Sequence, residues 1–311
     1  MVTKTSRSFP MCSVIVLNHN GKKHLKLCLD SLKKQTYLKY EVIVVDNASR
    51  DGSVNFIKRN HSWVRLIKSK TNLGYAGGNN LGIENARGEY IVILNNDTVV
   101  DKDWLKELVR VAKGSKKIGI VGGKVYYFDY PNKIQSIGGR LHEWNSFILL
   151  GSRIGKNQED RGQYEKVGEM DYALGCAFLV KKDVLNRIGL FDEKYFIYNE
   201  EIELAYRAKK AGYKIVYAPN AKIWHHGSVV VKRETYKKVY LTQRNKIRFI
   251  LKNFDLHLII WNVFSQGFHF ALKIGLSLIK GNSINTVKGI FDAIKWNLVN
   301  LKDTVRARKT N

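Results

Sequence analysis

Acidic residues are scarce in this chain. Asp and Glu number 27 against 53 Lys and Arg, a formal net charge of +26 over 311 residues. Such an excess implies anionic partners: phosphate-bearing substrates, an acidic membrane surface, or nucleic acid. A cytoplasm of unusual ionic composition would account for it as well. No recognition-helix or zinc-finger pattern is present, so no specific nucleic-acid partner is expected. Cysteine is also sparse. Cys12, Cys28 and Cys176 are odd in number, scattered, and form no CxxC, which excludes a disulfide framework and a zinc site and fits a reducing cytoplasm. No apolar segment precedes the strand-like run that begins at Cys12, so no secretory signal is read there. There is no internal repeat, no low-complexity linker and no GxGxxG, which argues against a dinucleotide-binding unit.

What is present is an alternation of short β-rich runs with helical patterns through the first half, the mark of a mostly parallel sheet with helices on its faces. Strands are expected at 13–17, 42–45, 64–67 and 90–94. The run at 42–45 is nearly all Val and Ile, as a buried central strand requires. A helix carrying Leu25, Leu29 and Leu32 on one face follows the first strand. Another is expected over 79–86, opened by Asn79 or Asn80. A third, over 102–112, has Trp104, Leu105, Leu108, Val109 and Ala112 facing inward and Asp101 as its N-cap. From 125 to 167 the pattern weakens into loops and short strands, the expected acceptor-binding region. Regularity returns at 173–181 and in the unit 191–227. That unit opens with Glu200, Glu201 and Glu203, continues as a helical pattern and a short β run at 215–217, and ends in His225-His226.

Beyond residue 239 the chain differs in kind: long helical patterns carry Lys and Arg between apolar residues. The segment Leu256–Ile279 is apolar but broken by His257, Asn262, Gln266, His269 and Lys273. A spanning helix wants roughly 20 predominantly apolar residues. An amphipathic helix at a membrane interface is one reading, and a helical cap packed on the rest of the chain is the other.

Three acidic positions carry the chemistry. Asp46 follows the strand at 42–45, where open α/β sheets bind ligands, and can accept hydrogen bonds from a base or ribose; it could equally cap the following turn. The run 72–80, NLGYAGGNN, allows close backbone approach to a ligand, or is a Gly-rich turn. Asn95-Asn96-Asp97 ends the strand at 90–94 and offers one carboxylate to a hard divalent cation. Carboxylates at one end of the 191–227 unit and imidazoles at the other suit a site that needs both a base and a metal, against the plainer alternative of a charged helix start and two surface histidines.

These phrases occur together and in order: VIVLNHNG, VIVVDNASRDGS, NLGYAGGNNLGIENARGEYIVILNNDTVV, YALGCAFLVKKDVLNRIGLFDEKYFIYNEEIELAYRAKKAGYKIVYAPNAKIWHHG and RNKIRFILKN. Over residues 12–253 the chain resembles the family 2 inverting nucleotide-sugar glycosyltransferases of GT-A fold, especially their rhamnosyltransferase-like branch. The resemblance implies an α/β GT-A catalytic unit over 1–239, with a nucleotide-binding half over about 10–125 and an acceptor and catalytic half over about 126–239. A basic amphipathic helical region, 240–311, would follow. It implies a nucleoside-diphosphate sugar donor of dTDP-rhamnose or UDP-sugar type and a glycan or polyprenyl-linked acceptor. A divalent cation, Mn2+ or Mg2+, is implied too. The positive charge and the helical pattern beyond residue 239 set the expected place of work at the inner face of the cell membrane, on its anionic surface. The family's metal motif falls on Asn95-Asn96-Asp97, where only the last acid is present, so Asp97 inherits the metal and diphosphate role and His225 the second ligand. Asn18, Asp46, Ser49, Asn72, Gly74, Gly78, Asn79 and Asn96 fall on the donor-binding side. Gly175, Cys176 and Glu203 fall in the acceptor region. The family's Glu-Asp pair falls on Glu200-Glu201. Its second acid, usually the base, is here Glu201, one methylene longer, and Glu200 or Glu203 could contribute. Glu203 also stands four residues before Arg207, the spacing of a helical ion pair.

Two other classes stay open on sequence. A nucleotidyltransferase would need a basic, Gly-rich phosphate loop after the first strand, of which 18–22 carries only part. A basic binding module without catalysis would need none of the acids.

Overall fold

The computed structural model describes residues 11–143, 150–227, 235–279 and 283–309. Its first half is a regular alternation. Strands β1 (Cys12–Asn18), β2 (Tyr40–Asn47), β3 (Arg65–Ser69) and β4 (Tyr90–Asn95) are joined by α1 (Lys22–Lys33), α2 (Ser53–Asn60) and α3 (Gly74–Glu84). The short β5 (Thr98–Val100) and α4 (Trp104–Lys113) lead to β6 (Ile118–Tyr127), β7 (Tyr130–Ser136), β8 (Gly139–Leu141), β9 (Gly151–Arg153) and β10 (Gly168–Glu169). Then come β11 (Ala177–Lys181), α5 (Lys182–Ile188), a 3-10 turn (Glu193–Tyr195), α6 (Glu200–Lys210) and β12 (Lys214–His225). Four helices end the chain: α7 (Tyr236–Asn253), α8 (Leu256–Ile279), α9 (Ser283–Val299) and α10 (Leu301–Lys309).

The main sheet runs β10-β12-β6-β11-β4-β1-β2-β3, with β5 on β12 and β7 on β6. Pairs β1–β2, β1–β4, β2–β3 and β6–β12 are parallel, while β11 runs antiparallel to both β4 and β6. The apolar runs of the central strands are dictated by burial on both faces. Val14, Val16, Val42, Val44, Val92 and Leu94 point to the side of α1 and α4; Ile15, Ile43, Val45, Ile91 and Ile93 point to the side of α3 and α6. Cys12, Cys28 and Cys176 are free and buried, and burial pushes the thiols of Cys12 and Cys28 up to about 12.

Three expectations shift. Helix α3 begins at Gly74 rather than near Asn79. Gly74 takes φ +73, and the Phe196 carbonyl accepts from the N–H groups of Tyr75 and Ala76, so the turn is closed from another part of the chain. Helix α4 is capped at Asp103, whose N–H donates to the Asp101 carboxylate at 2.9 Å. The β run at 215–217 is the start of a twelve-residue strand, β12, which passes Pro219 through a register irregularity between Ala218 and Lys222.

The C-terminal region is not a separate appendage at its start. Helix α7 crosses residue 239, and its Phe249 and Ile250 join the cluster that holds Leu204, Ala205 and Ala208 of α6. Two cations near its C-terminal end, Arg248 and Lys252, are buried and paired. Arg248 donates to Asp192 at 2.9 Å and to Asp303 at 3.0 Å; Lys252 lies 3.0 Å from Asp192 and 2.9 Å from Glu203. For α7 the packed-cap reading holds. No described helix is long and apolar enough to cross a membrane. The side chains of Gln266, His269 and Lys273 lie outside the described residues.

Candidate active site

The carboxyl ends of β1, β2 and β4 meet at one edge of the sheet, because parallel neighbours in register bring Asn18, Asp46 and Asn95 level. The side chains there form a polar chain. Asn18 Nδ2 donates to Asp46 at 3.0 Å and to Ser49 Oγ at 3.1 Å, the Ser49 N–H donates to Asp46 at 3.1 Å, and Asn96 Nδ2 donates to Asn18 Oδ1 at 2.6 Å. Asp46 is 3% exposed, so a ligand reaches only its remaining lone pairs. The segment 18–22 does not open into a phosphate cradle: a side chain at Gly21 would collide with the Asn96 amide, and the Lys22 N–H is tied to Asp51.

A cleft of about 470 Å³ adjoins this edge. Asn47, Asn72 and Gly74 form one wall, Asn95, Asn96 and Asp97 the floor, and Phe196, Tyr198, Lys237 and Lys238 the other wall. Asn72 Oδ1 accepts from Asn47 Nδ2 at 3.1 Å and from the Gly74 N–H at 2.9 Å, which fixes the turn into α3. Gly78 and Asn79 do not face the cleft. They lie inside α3: a Cβ at Gly78 would collide with Leu17, and Asn79, fully buried, donates to the Tyr75 carbonyl. Gly78 and Gly82 therefore serve the approach of helix to sheet, where an added Cβ would meet Leu17 and Ile15, while Gly74 lines the cleft.

Asp97 and His225 come together at the floor, where β5 pairs with the end of β12. His225 Nε2 stands 3.3 Å from Asp97 Oδ1, and its Nδ1 lies 2.8 Å from Gln135 Oε1. An amide oxygen only accepts, so Nδ1 donates to Gln135, and Nε2 faces the carboxylate, as a donor when the ring is protonated and as a lone pair when it is not. Asp97 Oδ1 is buried and lacks a directed hydrogen bond. Two lone pairs at that separation repel unless a proton or a cation lies between them, so the pair fits a divalent cation. Burial opposes ionisation of Asp97, but His225 and the nearby His24 outweigh it and hold the carboxyl below its ordinary value. The His226 ring stacks on Phe128 at 3.6 Å and lies 4.7 Å from that of His24. Among the described residues no three His, Cys, Asp or Glu side chains form a complete protein-only cage.

The acid pair opens α6. It follows a loop in which Phe196, Tyr198 and Asn199 all take positive φ, 61°, 79° and 68°. Such backbone costs on the order of 1–3 kcal/mol per residue and persists only where the surroundings impose it. Here α7 imposes it. Asn245 Nδ2 donates to the carbonyls of Tyr195, Ile197 and Tyr198 at 2.7–2.8 Å, and Arg244 donates to those of Lys194 and Tyr195 at 2.7 Å. Glu200 is buried, and burial together with the charge of Glu201 pushes its carboxyl well above the ordinary range. Glu201 is half-buried; burial raises it too, against the opposing field of Arg153. Each has one oxygen without a hydrogen-bond partner. The Tyr75 hydroxyl donates to the Gly175 carbonyl beside them, and a Cβ at Gly175 would sit 3.4 Å from the Glu201 carboxyl. Burial raises the Cys176 thiol further, with contributions from both Asp97 and Glu201, so the acid pair and the Asp97 floor share one neighbourhood. That thiol is buried in the core, and residue 176 serves through its carbonyl, which accepts from the Asn95 N–H at 2.8 Å. Glu203 is not available to an acceptor. It is 0% exposed and accepts from Arg207 at 2.8–3.0 Å, the ion pair its spacing suggests.

Sequence reasoning missed Tyr75, Gln135, Arg153, Lys237 and Lys238. Tyr75 and the Arg244-Asn245 pair lie inside phrases already singled out; Gln135 and Arg153 fall in the stretch whose pattern is weakest, and no signal marks them.

Comparison with known proteins gives the family and the fold of the chain. The chain is 28% identical over 217 residues to the glycosyltransferase AglE of Haloferax volcanii, covering 68% of this chain and 65% of that one. It is 26% identical over 235 residues to the N-acetylglucosaminyl-diphospho-decaprenol L-rhamnosyltransferase of Mycobacterium tuberculosis, covering 68% and 75%. Among curated relatives the share of their length that it spans runs from 18% to 75%. The mannosyltransferase PcManGT of Pyrobaculum calidifontis, solved with GDP-Man and Mn2+, superposes with a TM-score of 0.58 at 18% identity over 94% of this chain and 88% of its own, a likeness of GT-A fold. The family model described as glycosyl transferase family 2 matches residues 13–189, more than half of the chain and up to the threshold of the acid pair. On that match, the chain belongs to glycosyl transferase family 2.

Proposed function

We propose that the chain transfers a sugar, with inversion, from a nucleoside-diphosphate donor of dTDP-rhamnose or UDP-sugar type to a glycan or polyprenyl-linked acceptor. The observation that carries this reading is the neighbourhood that a cation-ready Asp97–His225 couple, with Asp97 on the cleft, shares through Cys176 with a half-buried Glu201 whose carboxyl is raised. The relatives support it: one is named for rhamnosyl transfer to a diphospho-decaprenol substrate, and a neighbour of the same fold was solved with GDP-Man and Mn2+.

In this reading the Asp46–Asn18–Ser49 group and Asn72 hold the nucleoside, and Lys237 and Lys238 face the diphosphate across the cleft. Glu201 accepts the proton of the acceptor hydroxyl as that oxygen attacks the anomeric carbon from the face opposite the leaving group. The bond to the diphosphate oxygen breaks in the same step, and the nucleoside diphosphate departs with the electron pair. A raised carboxyl pKa suits a base, because proton affinity closer to working pH improves the transfer. Glu201 is favoured over Glu200 because it is the more accessible of the two and because Arg153 keeps it ionisable. When bound at Asp97 and His225, a divalent cation, Mn2+ or Mg2+, neutralises charge on the departing diphosphate.

A thermal-shift panel of nucleoside diphosphates with and without Mn2+ tests the reading. One family of diphosphates should stabilise the chain more with Mn2+ than without, by about 2.7 kcal/mol at a hundredfold excess over Kd. If no nucleoside diphosphate shifts Tm under either condition, the reading fails.

A further inference from the structure

Helix α8 is two-sided. Its inner side buries Leu258 and Phe270 together with polar groups: Asn262 is 0% exposed and donates to the carbonyls of Leu258 and Glu143 at 2.8 and 3.2 Å, and Ser265 is buried beside it. Its outer side is apolar. Leu256, Ile260, Phe264, Phe268 and Leu272 recur every fourth residue and are all exposed, Phe264 by 77%. At about 100° per residue this spacing drifts about 40° per step, so the five side chains spread over a broad face rather than a narrow seam. An apolar face of that extent on a water-exposed helix marks a docking surface. No described helix, α8 included, is long and apolar enough to cross a bilayer.

The next two helices carry a second pattern. Helix α10 continues α9: the Asn300 N–H donates to Trp296 O and the Thr304 N–H to Asn300 O, both at 3.0 Å. Along this rod Lys288, Phe291, Lys295, Leu298, Lys302 and Val305 alternate at steps of three and four, and all six are exposed. Lysine stems lie along apolar surface while their ammonium groups reach anionic headgroups. The α8 and α9 helices pack together through Phe270 and Ile290.

We infer that α8 and the α9–α10 rod dock this chain on the surface of an anionic phospholipid bilayer, α8 lying in the interface with its apolar face down and the lysine row binding headgroup phosphates. The occupant is a bilayer rather than a second copy because a two-fold contact would set the lysine row of one copy against that of the other, in a chain that already carries +26. The inference rests on the proposed function only for its purpose, which is to bring the cleft to a lipid-linked acceptor.

Co-sedimentation of the full chain with vesicles tests it without any sugar donor. Vesicles of phosphatidylcholine containing one third phosphatidylglycerol should pellet the chain at low salt, and release should follow as salt rises. Each cation near such a surface is worth about fivefold in partitioning, so Lys295→Ala with Lys302→Ala should lose about 25-fold. Phe264→Ser with Phe268→Ser should lose at least about tenfold on anionic vesicles, with Tm unchanged because both rings are exposed. If the wild-type chain stays in the supernatant, or both double variants pellet like wild type, the inference is wrong. A concentration-dependent dimer abolished by the Phe pair, without vesicle binding, would overturn it in favour of a second copy. Mn2+-dependent nucleotide binding, measured on lipid-free protein, separates the two readings: nucleotide binding without vesicle binding overturns this inference alone, and the reverse overturns only the glycosyltransfer reading.

Discussion

Replacing Asn245 by Asp should be among the most damaging conservative substitutions in this chain. The two side chains have nearly the same shape, so packing is preserved and only hydrogen-bond polarity changes. Asn245 Nδ2 faces three carbonyls, those of Tyr195, Ile197 and Tyr198, at 2.7–2.8 Å, and the side chain is 0% exposed. Arg244 still serves the Tyr195 carbonyl, so losing the Asn245 N–H groups orphans two half-buried carbonyls, those of Ile197 and Tyr198. Each orphan costs about 1–3 kcal/mol, which gives about 2–6 kcal/mol for Asn245→Ala. An ionised Asp adds a buried charge pointing at three oxygens and should cost more than Ala. Against a total of about 5–15 kcal/mol, either change is large. The three positive-φ residues beneath the clamp would also be free to relax, and they carry Glu200 and Glu201. Urea unfolding gives the stability change, and single-turnover transfer at a temperature where the variant is folded gives the effect on chemistry. Asn297→Ala serves as the comparison, since it removes donors to Arg244 O and Ala293 O at 3.0 and 2.9 Å without touching the loop. If Asn245→Asp unfolds within 1 kcal/mol of wild type (about a fivefold change in the folding equilibrium) and turns over normally, the clamp argument is refuted.

Three further outcomes follow from the same geometry. Glu201→Gln should keep the thermal shift with nucleoside diphosphate and lower turnover by roughly 10²–10⁴-fold, with Glu201→Asp milder; if Glu200→Gln alone does this, the base has been assigned one residue late. Asp97→Ala should remove the Mn2+-dependent part of nucleotide stabilisation, and an unchanged difference between titrations with and without Mn2+ would count against Asp97 as a ligand. Glu200→Gln should raise Tm at neutral pH. The folded carboxyl is raised above its unfolded value, so its favourable contribution is full below the unfolded pKa and is lost as pH rises through the folded one. The gain should therefore vanish below about pH 4.5, and a pH-independent gain would show that charge is not its source.

The parallel half of the fold was legible because burial on both faces leaves a plain mark: four or five consecutive Val, Ile or Leu at 14–17, 42–45 and 91–94. Asp46 and Asp97 stood out because each follows such a run. The start of α3 was hidden because nine of its eleven residues are buried, so it has no polar side to give a period. Strand β12 was cut short on paper because Pro219 interrupts it, where the chain in fact passes through an irregular register. Helix α7 read as a surface for anions because its arginines and lysines are visible in sequence while their partners Asp192, Glu203 and Asp303 stand some 50–60 residues away. Gln135 owes its meaning to a partner 90 residues distant, and Arg153 to its nearness to Glu201, which no local pattern records.

The buried run of charges from Glu203 through Lys252 and Asp192 to Arg248 and Asp303 also sets an order of events at the ribosome. The nucleotide side of the sheet can close as soon as β4 has emerged, since its strands pair with near neighbours. The acid pair cannot. Its loop is held by Arg244 and Asn245, and Asp192 beneath it remains uncompensated until Arg248 and Lys252 arrive, whereas Glu203 has Arg207 of its own helix from the start. A buried carboxylate without its counter-charge is among the costlier defects a fold can carry. The loop before the acid pair is therefore fixed only once α7 has emerged, and chains stopped before it carry a formed sheet with a loose loop, a species for proteases.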